Sequence, residues 1–153
     1  MKHILILGAG MSSGTLIRYL EQQAPAYGWK ISVGDRDLAL AKQKTNPPTR
    51  IFPVDTAHTD QLEAEISGAD LVISLLPARL HPLVAIACLK LGKSLVTASY
   101  ESPEMKKMAE DVKAKGLLFL NECGLDPGID HMSAMQVIDR IRESGGRSDA
   151  SRE

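Results

Sequence analysis

Six short runs rich in Val, Ile and Leu recur along this chain, and each is followed by a stretch with helical spacing. The runs are ILIL (4–7), KISVGD (30–35), RIFPVD (50–55), DLVISLL (70–76), KSLVTA (93–98) and GLLFLN (116–121). Most are continuously apolar rather than alternating, the pattern of strands covered on both faces. Between them, Leu16, Ile17 and Leu20 form an apolar stripe, and windows 38–44 and 60–66 read as helices. A further helix is expected over 81–91, stopped by Gly92. Ser102-Pro103-Glu104 reads as a helix start, with Ser as N-cap, Pro in the first turn and an acid against the dipole. That helix carries Met105, Met108 and Val112 and ends near Gly116, and the last helix spans roughly 130–143 before Gly145-Gly146. Six strands alternating with helices predict an α/β fold, a doubly wound, mostly parallel six-stranded sheet. The alternation occupies 1–146 as one domain and leaves no room for a second; the polar tail 147–153 has no periodicity and reads as disordered.

Composition excludes several classes of function. Lys and Arg number 18 against 19 Asp and Glu, a balance that suits neither a nucleic-acid groove nor an anionic membrane surface. No apolar run approaches the ~18 residues a bilayer span requires. The opening MKHILILGAG runs from a four-residue apolar stretch into a glycine-rich turn, unlike a secretion signal. Cys88 and Cys123 lack metal spacing, as do His3, His58, His81 and His131. Free thiols in a reducing compartment follow, and the expected location is the cytoplasm.

Gly8-Ala9-Gly10-Met11-Ser12-Ser13-Gly14 joins the first strand to the first helix. Gly8 permits the tight turn, Gly10 lets the backbone approach a pyrophosphate, and free N–H groups at the helix start face the phosphate charge. The third glycine comes one residue late for G-x-G-x-x-G. The setting between strand and helix, with Asp35 ending the next strand 21 residues after Gly14, is nevertheless that of a dinucleotide site. The bland alternative is a helix start that merely needs glycine to turn. Gly8, Ala9, Gly10, Met11, Ser12 and Ser13 are therefore cofactor candidates. Asp35 would accept hydrogen bonds from ribose hydroxyls and repel a 2′-phosphate, whereas Arg36 could pair with one. The cofactor is thus NAD or NADP, with Asp35 leaning the reading toward NAD. Asp55 lies either near the adenine or in solvent at a strand end.

In such a sheet, ligands bind beyond the carboxyl ends of the strands. The fourth strand delivers Ser74-Leu75-Leu76-Pro77, then Arg79 and His81; the fifth delivers Thr97-Ala98-Ser99-Tyr100; the sixth delivers Asn121-Glu122-Cys123. His81 reads as a helix N-terminal cap beside Pro82, and Cys123 as a small apolar filler. No spacing marks a catalytic nucleophile or acid/base, so the catalytic residues stay unassigned. The stretch LNECGLDPGIDHMSAM (120–135) finishes the last strand and opens the last helix. Pro127 and Gly128 set the backbone exit, Asp130 can cap the helix, His131 takes a structural role, and Asp126 faces the ligand.

These residues carry a family resemblance. ILGAG, SLLP, VTASYESPEM and NECGLDPGIDHMSAM together resemble the saccharopine dehydrogenase family, in its saccharopine reductase, glutamate-forming branch, over 1–146. The resemblance implies an N-terminal Rossmann domain of an NAD(P)-dependent oxidoreductase acting on a C–N bond in lysine metabolism. By it, Leu75, Leu76, Thr97 and Leu125 match cofactor-lining positions, and Ser99, Tyr100 and Asp126 match substrate-binding ones. It also implies a larger α/β domain, absent from this chain, that closes over a small amino-acid-derived substrate and serves in homodimer formation; the fragment alone is expected to be inactive. Two other readings stay open: a carboxynorspermidine/carboxyspermidine dehydrogenase-like enzyme, and a stand-alone, non-catalytic dinucleotide-sensing module.

Overall fold

A computed structural model describes residues 1–145. Its strands are β1 (Lys2–Leu7), β2 (Trp29–Asp35), β3 (Arg50–Pro53), β4 (Leu71–Ser74), β5 (Ser94–Thr97) and β6 (Phe119–Leu120). Its helices are α1 (Ser13–Tyr27), α2 (Leu38–Lys44), α3 (Thr59–Ser67), α4 (His81–Leu91), α5 (Pro103–Lys107), α6 (Ala109–Ala114) and α7 (Ile129–Glu143). All six strands form one sheet in the order β3-β2-β1-β4-β5-β6, and every pairing is parallel. This is the Rossmann order, whose direction reverses between β1 and β4 and opens a crevice there.

The apolar runs are continuous because the sheet is covered on both sides. Leu5 and Leu7 of β1 point into a layer with Leu62 and Ile66 of α3 and Val84 and Cys88 of α4. The intervening Ile4 and Ile6 point the other way, onto Ile17 and Leu20 of α1 and Ala41 of α2. Burying one such Leu or Ile side chain is worth about 1.5–3 kcal/mol. Local caps agree with the sequence. Gly92 ends α4 at φ 67°, and the Ser102 hydroxyl accepts the Met105 N–H at 3.3 Å to start α5.

Two boundaries differ from expectation. The helix expected from Ser102 to near Gly116 breaks at Met108, which ends α5 and precedes α6. The last strand keeps only two paired residues, since Gly116 turns at φ 64° and pairing with β5 starts at Phe119. Helix α7 stands apart from both layers; none of its residues is buried, and Ile129, Met132, Val137 and Ile141 are exposed. The tail 147–153, expected to be disordered, and Gly146 lie outside the described residues. Among the described residues no helix is long and apolar enough to cross a membrane. No group of three or more His, Cys, Asp or Glu there could hold a metal ion.

Candidate dinucleotide site

The carboxyl end of β1 runs into the glycine loop at the crevice. Gly8 adopts φ +103°, and a Cβ there would lie 2.9 Å from the Leu75 carbonyl carbon and oxygen. Only glycine allows that turn and that approach of the β1 and β4 ends. Gly10 is different. A Cβ on it would meet nothing within 4 Å, so the loop's outer side is open to a ligand. The 15-residue α1 begins with no side-chain cap and no acidic residue in its first turn. Its leading N–H groups and positive dipole end are thus available to an anion.

Asp35 shapes this loop directly. Its carboxylate accepts the Ala9 N–H at 2.5 Å and the Asp37 N–H at 2.8 Å. Ala9 is fully buried, so its amide has no water to turn to. Ser13 is also buried, and its hydroxyl donates to the Gly10 carbonyl at 2.8 Å. It holds the loop's shape, while Met11 and Ser12 lie on the exposed side. A residue not anticipated from sequence joins them. The Lys44 ammonium, at the end of α2, donates to the Gly10 carbonyl and lies 3.5 Å from Ser13 Oγ, putting a positive charge on the loop. No local signal distinguishes Lys44 from any basic residue in a helix's last turn.

Arg36 follows Asp35 with its side chain 80% exposed, 3.8 Å from Asp55. An ion pair that long and wet holds the guanidinium weakly. Asp55 lies two residues beyond β3, and the Ala57 N–H donated to it, followed by the Arg36 charge, holds its carboxyl below the usual range. Its partners are its own turn and Arg36.

Beyond β4 and β5 the other candidates gather. Leu75 and Leu76 are half-buried, and Leu125 is exposed. Thr97 is buried, donating to the Asn121 side-chain carbonyl at 3.1 Å. The Tyr100 hydroxyl donates to Asp126 at 2.6 Å, bringing together two candidates that lie 26 residues apart in sequence. Asp126, Asp130 and Glu122 surround this phenol with negative charge; Asp126 above all pushes its pKa up to about 12. Glu122 holds φ 63°, in the left-handed region that a non-glycine residue enters at some cost. Its N–H reaches the Ser99 carbonyl at 3.0 Å, folding the chain after β6 back along β5. Gly128, at φ +141°, lies against Gly124, and Asp130 accepts the Gly128 N–H at 2.9 Å, so the turn expected from sequence is closed by its own backbone. The His131 ring is hydrogen-bonded through Nδ1 to its neighbour Asp130, at 2.9 Å.

Two sequence readings are corrected. His81 does not cap α4. It is the first residue of α4, after Leu80 as N-cap, and its ring turns inward: it is 3% exposed, with Nδ1 2.8 Å from Ser74 Oγ and Nε2 2.9 Å from Ser99 Oγ. Burial pushes its pKa below the ordinary imidazole value. Cys123 is not an apolar filler but exposed, since the chain has already left β6 at that point.

Comparison with known proteins agrees with this geometry. Residues 4–120 match the family model of the saccharopine dehydrogenase NADP binding domain. The chain is 40% identical over 147 residues to alpha-aminoadipic semialdehyde synthase, mitochondrial, of Mus musculus, covering 94% of this chain and 15% of that protein. It is 34% identical over 149 residues to saccharopine dehydrogenase [NADP(+), L-glutamate-forming] of Schizosaccharomyces pombe, covering 96% of this chain and 32% of that protein. The solved apo saccharopine dehydrogenase (L-Glu forming) from Saccharomyces cerevisiae superposes with a TM-score of 0.77 at 30% identity, over 95% of this chain and 32% of that one. The chain therefore spans a third or less of the length of these relatives.

Proposed function

The chain belongs to the saccharopine dehydrogenase family, in its NADP-binding domain, and from that premise we propose that it holds NADP for an oxidoreductase acting on the C–N bond of saccharopine. The observation that carries this reading is the polarity of the strand ends. An uncapped helix, Lys44 and Arg36 lie at one side of the crevice, and Tyr100 with Asp126, Glu122 and Asp130 at the other. The first group suits phosphates. The second suits a substrate nitrogen that carries positive charge as an imine is reduced or an amine oxidised.

In this reading the α1 N-terminus and Lys44 take the pyrophosphate, and Arg36 leaves Asp55 for the 2′-phosphate. Asp35 is already engaged by the Ala9 and Asp37 amides, so its presence does not require a free 2′-hydroxyl opposite it. That removes the ground for preferring NAD. The bound cofactor would supply or accept the hydride. Tyr100, kept protonated by the carboxylates around it, would hold Asp126 in place through its hydroxyl, and Asp126 would face the substrate nitrogen. The mammalian and fungal relatives extend well beyond this region, and we assign the rest of the substrate contacts and any homodimer contact to such additional chain, packed on the apolar residues of α7. The cytoplasm remains the proposed location, with Cys88 and Cys123 both free.

Titration with NAD and NADP tests the cofactor assignment. NADP should bind more tightly, and Arg36→Ala should weaken NADP about tenfold, one charge-assisted hydrogen bond's worth, without changing NAD. Lys44→Ala should weaken both alike, since both carry the pyrophosphate. No saturable binding of either nucleotide, or an Arg36→Ala effect equal for both, would refute it.

A further inference from the structure

Ser74, His81 and Ser99 form a hydrogen-bonded chain running from the interior of the sheet to the substrate side of the crevice. Ser74 is fully buried at the end of β4, and among the described residues its hydroxyl has one hydrogen-bond partner, His81 Nδ1 at 2.8 Å. His81 is itself buried, and Ser99, at the far end, is half-buried beyond β5.

The direction of the protons along this chain is determined by counting donors. A buried imidazole is neutral when desolvation opposes its charge, so it has one N–H and one bare nitrogen. If Nδ1 carried the proton, the Ser74 hydroxyl proton would have no acceptor in a dry interior, and its full desolvation cost would stand. The Ser74 hydroxyl therefore donates to Nδ1, and the imidazole proton sits on Nε2. Nε2–H then donates to Ser99 Oγ. With that lone pair taken, the Ser99 proton must point away from His81, toward the crevice.

We propose that His81 is a positioning residue: held by Ser74 as the Nε2–H tautomer, it occupies one lone pair of the Ser99 hydroxyl and turns that hydroxyl's proton outward, so that Ser99 donates to a carboxylate or carboxamide oxygen of the ligand. The outward half of this statement rests on the reading of Ser99 as ligand-facing; the tautomer does not. The chain complements the Tyr100–Asp126 pair, where an acceptor faces the ligand. Donor at Ser99 and acceptor at Asp126 would fix which end of an amino-acid-derived group lies at which strand.

The test uses the protein labelled with 15N-histidine. Ligand-free spectra should show His81 as a neutral ring with a protonated Nε2 and an acceptor Nδ1, and Ser74→Ala should shift it toward a mixture of tautomers. A protonated Nδ1 in the wild type, or an unchanged ring in Ser74→Ala, overturns the proposal regardless of any ligand. Binding is then read with NADP, with its thionicotinamide analogue, and with saccharopine in the presence of NADP. Ser99→Ala should cost about tenfold for one of these, the loss of one hydrogen bond to an oxygen acceptor. Loss for NADP but not the thio analogue identifies the carboxamide oxygen as the acceptor; loss confined to saccharopine identifies a substrate carboxylate. Unchanged affinity for all three overturns the donor role of Ser99. Failure of the cofactor reading looks different: no saturable NADP response from any variant, with the ligand-free His81 spectrum as expected.

Discussion

Replacing Asp35 with alanine separates two roles that a carboxylate at the end of β2 can play. As a ribose ligand it would affect nucleotide affinity and leave the free protein unharmed. In the structure its carboxylate instead accepts the Ala9 and Asp37 amides, at 2.5 and 2.8 Å. The two bonds are unequal in consequence. Asp37 is exposed, so water replaces the lost acceptor at little cost, whereas Ala9 is fully buried and its N–H is left without a partner. A hydrogen bond to a charged group, lost with its buried donor stranded, is worth about 2–3 kcal/mol. At about 2–4 °C per kcal/mol for a domain of this size, Asp35→Ala should lower Tm by about 4–12 °C. Asp35→Asn keeps one acceptor and should lose less than half of that. Thermal unfolding followed by circular dichroism, without nucleotide, reads the effect. A wild-type Tm in Asp35→Ala, with loss confined to nucleotide affinity, would refute the loop-brace account and return Asp35 to the ribose.

Gly8→Ala forces an L side chain to φ +103° and into the Leu75 carbonyl, so it should cost more than about 2 kcal/mol and abolish nucleotide binding. Gly10→Ala, whose Cβ meets nothing within 4 Å, should keep a near-wild-type Tm and lose only nucleotide affinity; equal Tm losses in the two variants would contradict the account of the loop. The Tyr100 phenol should titrate near pH 12 in 13C-tyrosine spectra, and Asp126→Asn should bring it down, because the carboxylate is the main cause of the shift. Burial depresses the His81 pKa, so below its unfolded value of about 6.5 the unfolded chain takes up a proton that the folded one resists. The His81 contribution therefore favours the fold fully above that value and weakens it as the pH falls; Tm should drop between pH 7.5 and 5.5, and an imidazolium signal for folded His81 at pH 6.5 would contradict this.

The fold was legible because its cause is local. A run such as ILIL is apolar at every position, and only a strand buried on both faces uses all four, as Ile4 and Ile6 do on one side and Leu5 and Leu7 on the other. Gly92 and Ser102 were equally readable, since caps act within one turn. What could not be read depends on residues far apart in sequence. Asp35 meets Ala9 across 26 positions, and Lys44 meets Gly10 across 34. Neither side chain announces whether it will face a ligand or its own backbone. His81 misled for the same reason. Next to Pro82 at a helix start it has the pattern of a cap, and only the arrival of Ser74 and Ser99 from two neighbouring strands turns the ring inward. The break at Met108 has no comparable sequence mark, for no Gly or Pro stands there.

In the proposed reading, the charge arrangement would let a near-neutral chain discriminate between the ends of one ligand. Eighteen basic and nineteen acidic residues nearly cancel in sum, so long-range attraction of an anionic nucleotide is weak. Orientation has to come from position instead. Cations and uncapped amides lie at the β1 and β2 ends, and carboxylates cluster where the chain leaves β5 and β6. A dinucleotide reversed in the crevice would bring its phosphates against Asp126, Glu122 and Asp130 and leave Lys44 and Arg36 without an anion. In that reading, the carboxylates that would exclude a reversed cofactor are the same ones that would stabilise positive charge on a reacting nitrogen. One cluster would then serve both selections, and Asp126→Asn should relax them together: weaker discrimination against phosphate anions at Tyr100, read by phosphate-induced shifts of its 13C signal, alongside the lowered phenol pKa. A variant that lowers the phenol pKa yet still excludes phosphate would show that the two selections have separate origins.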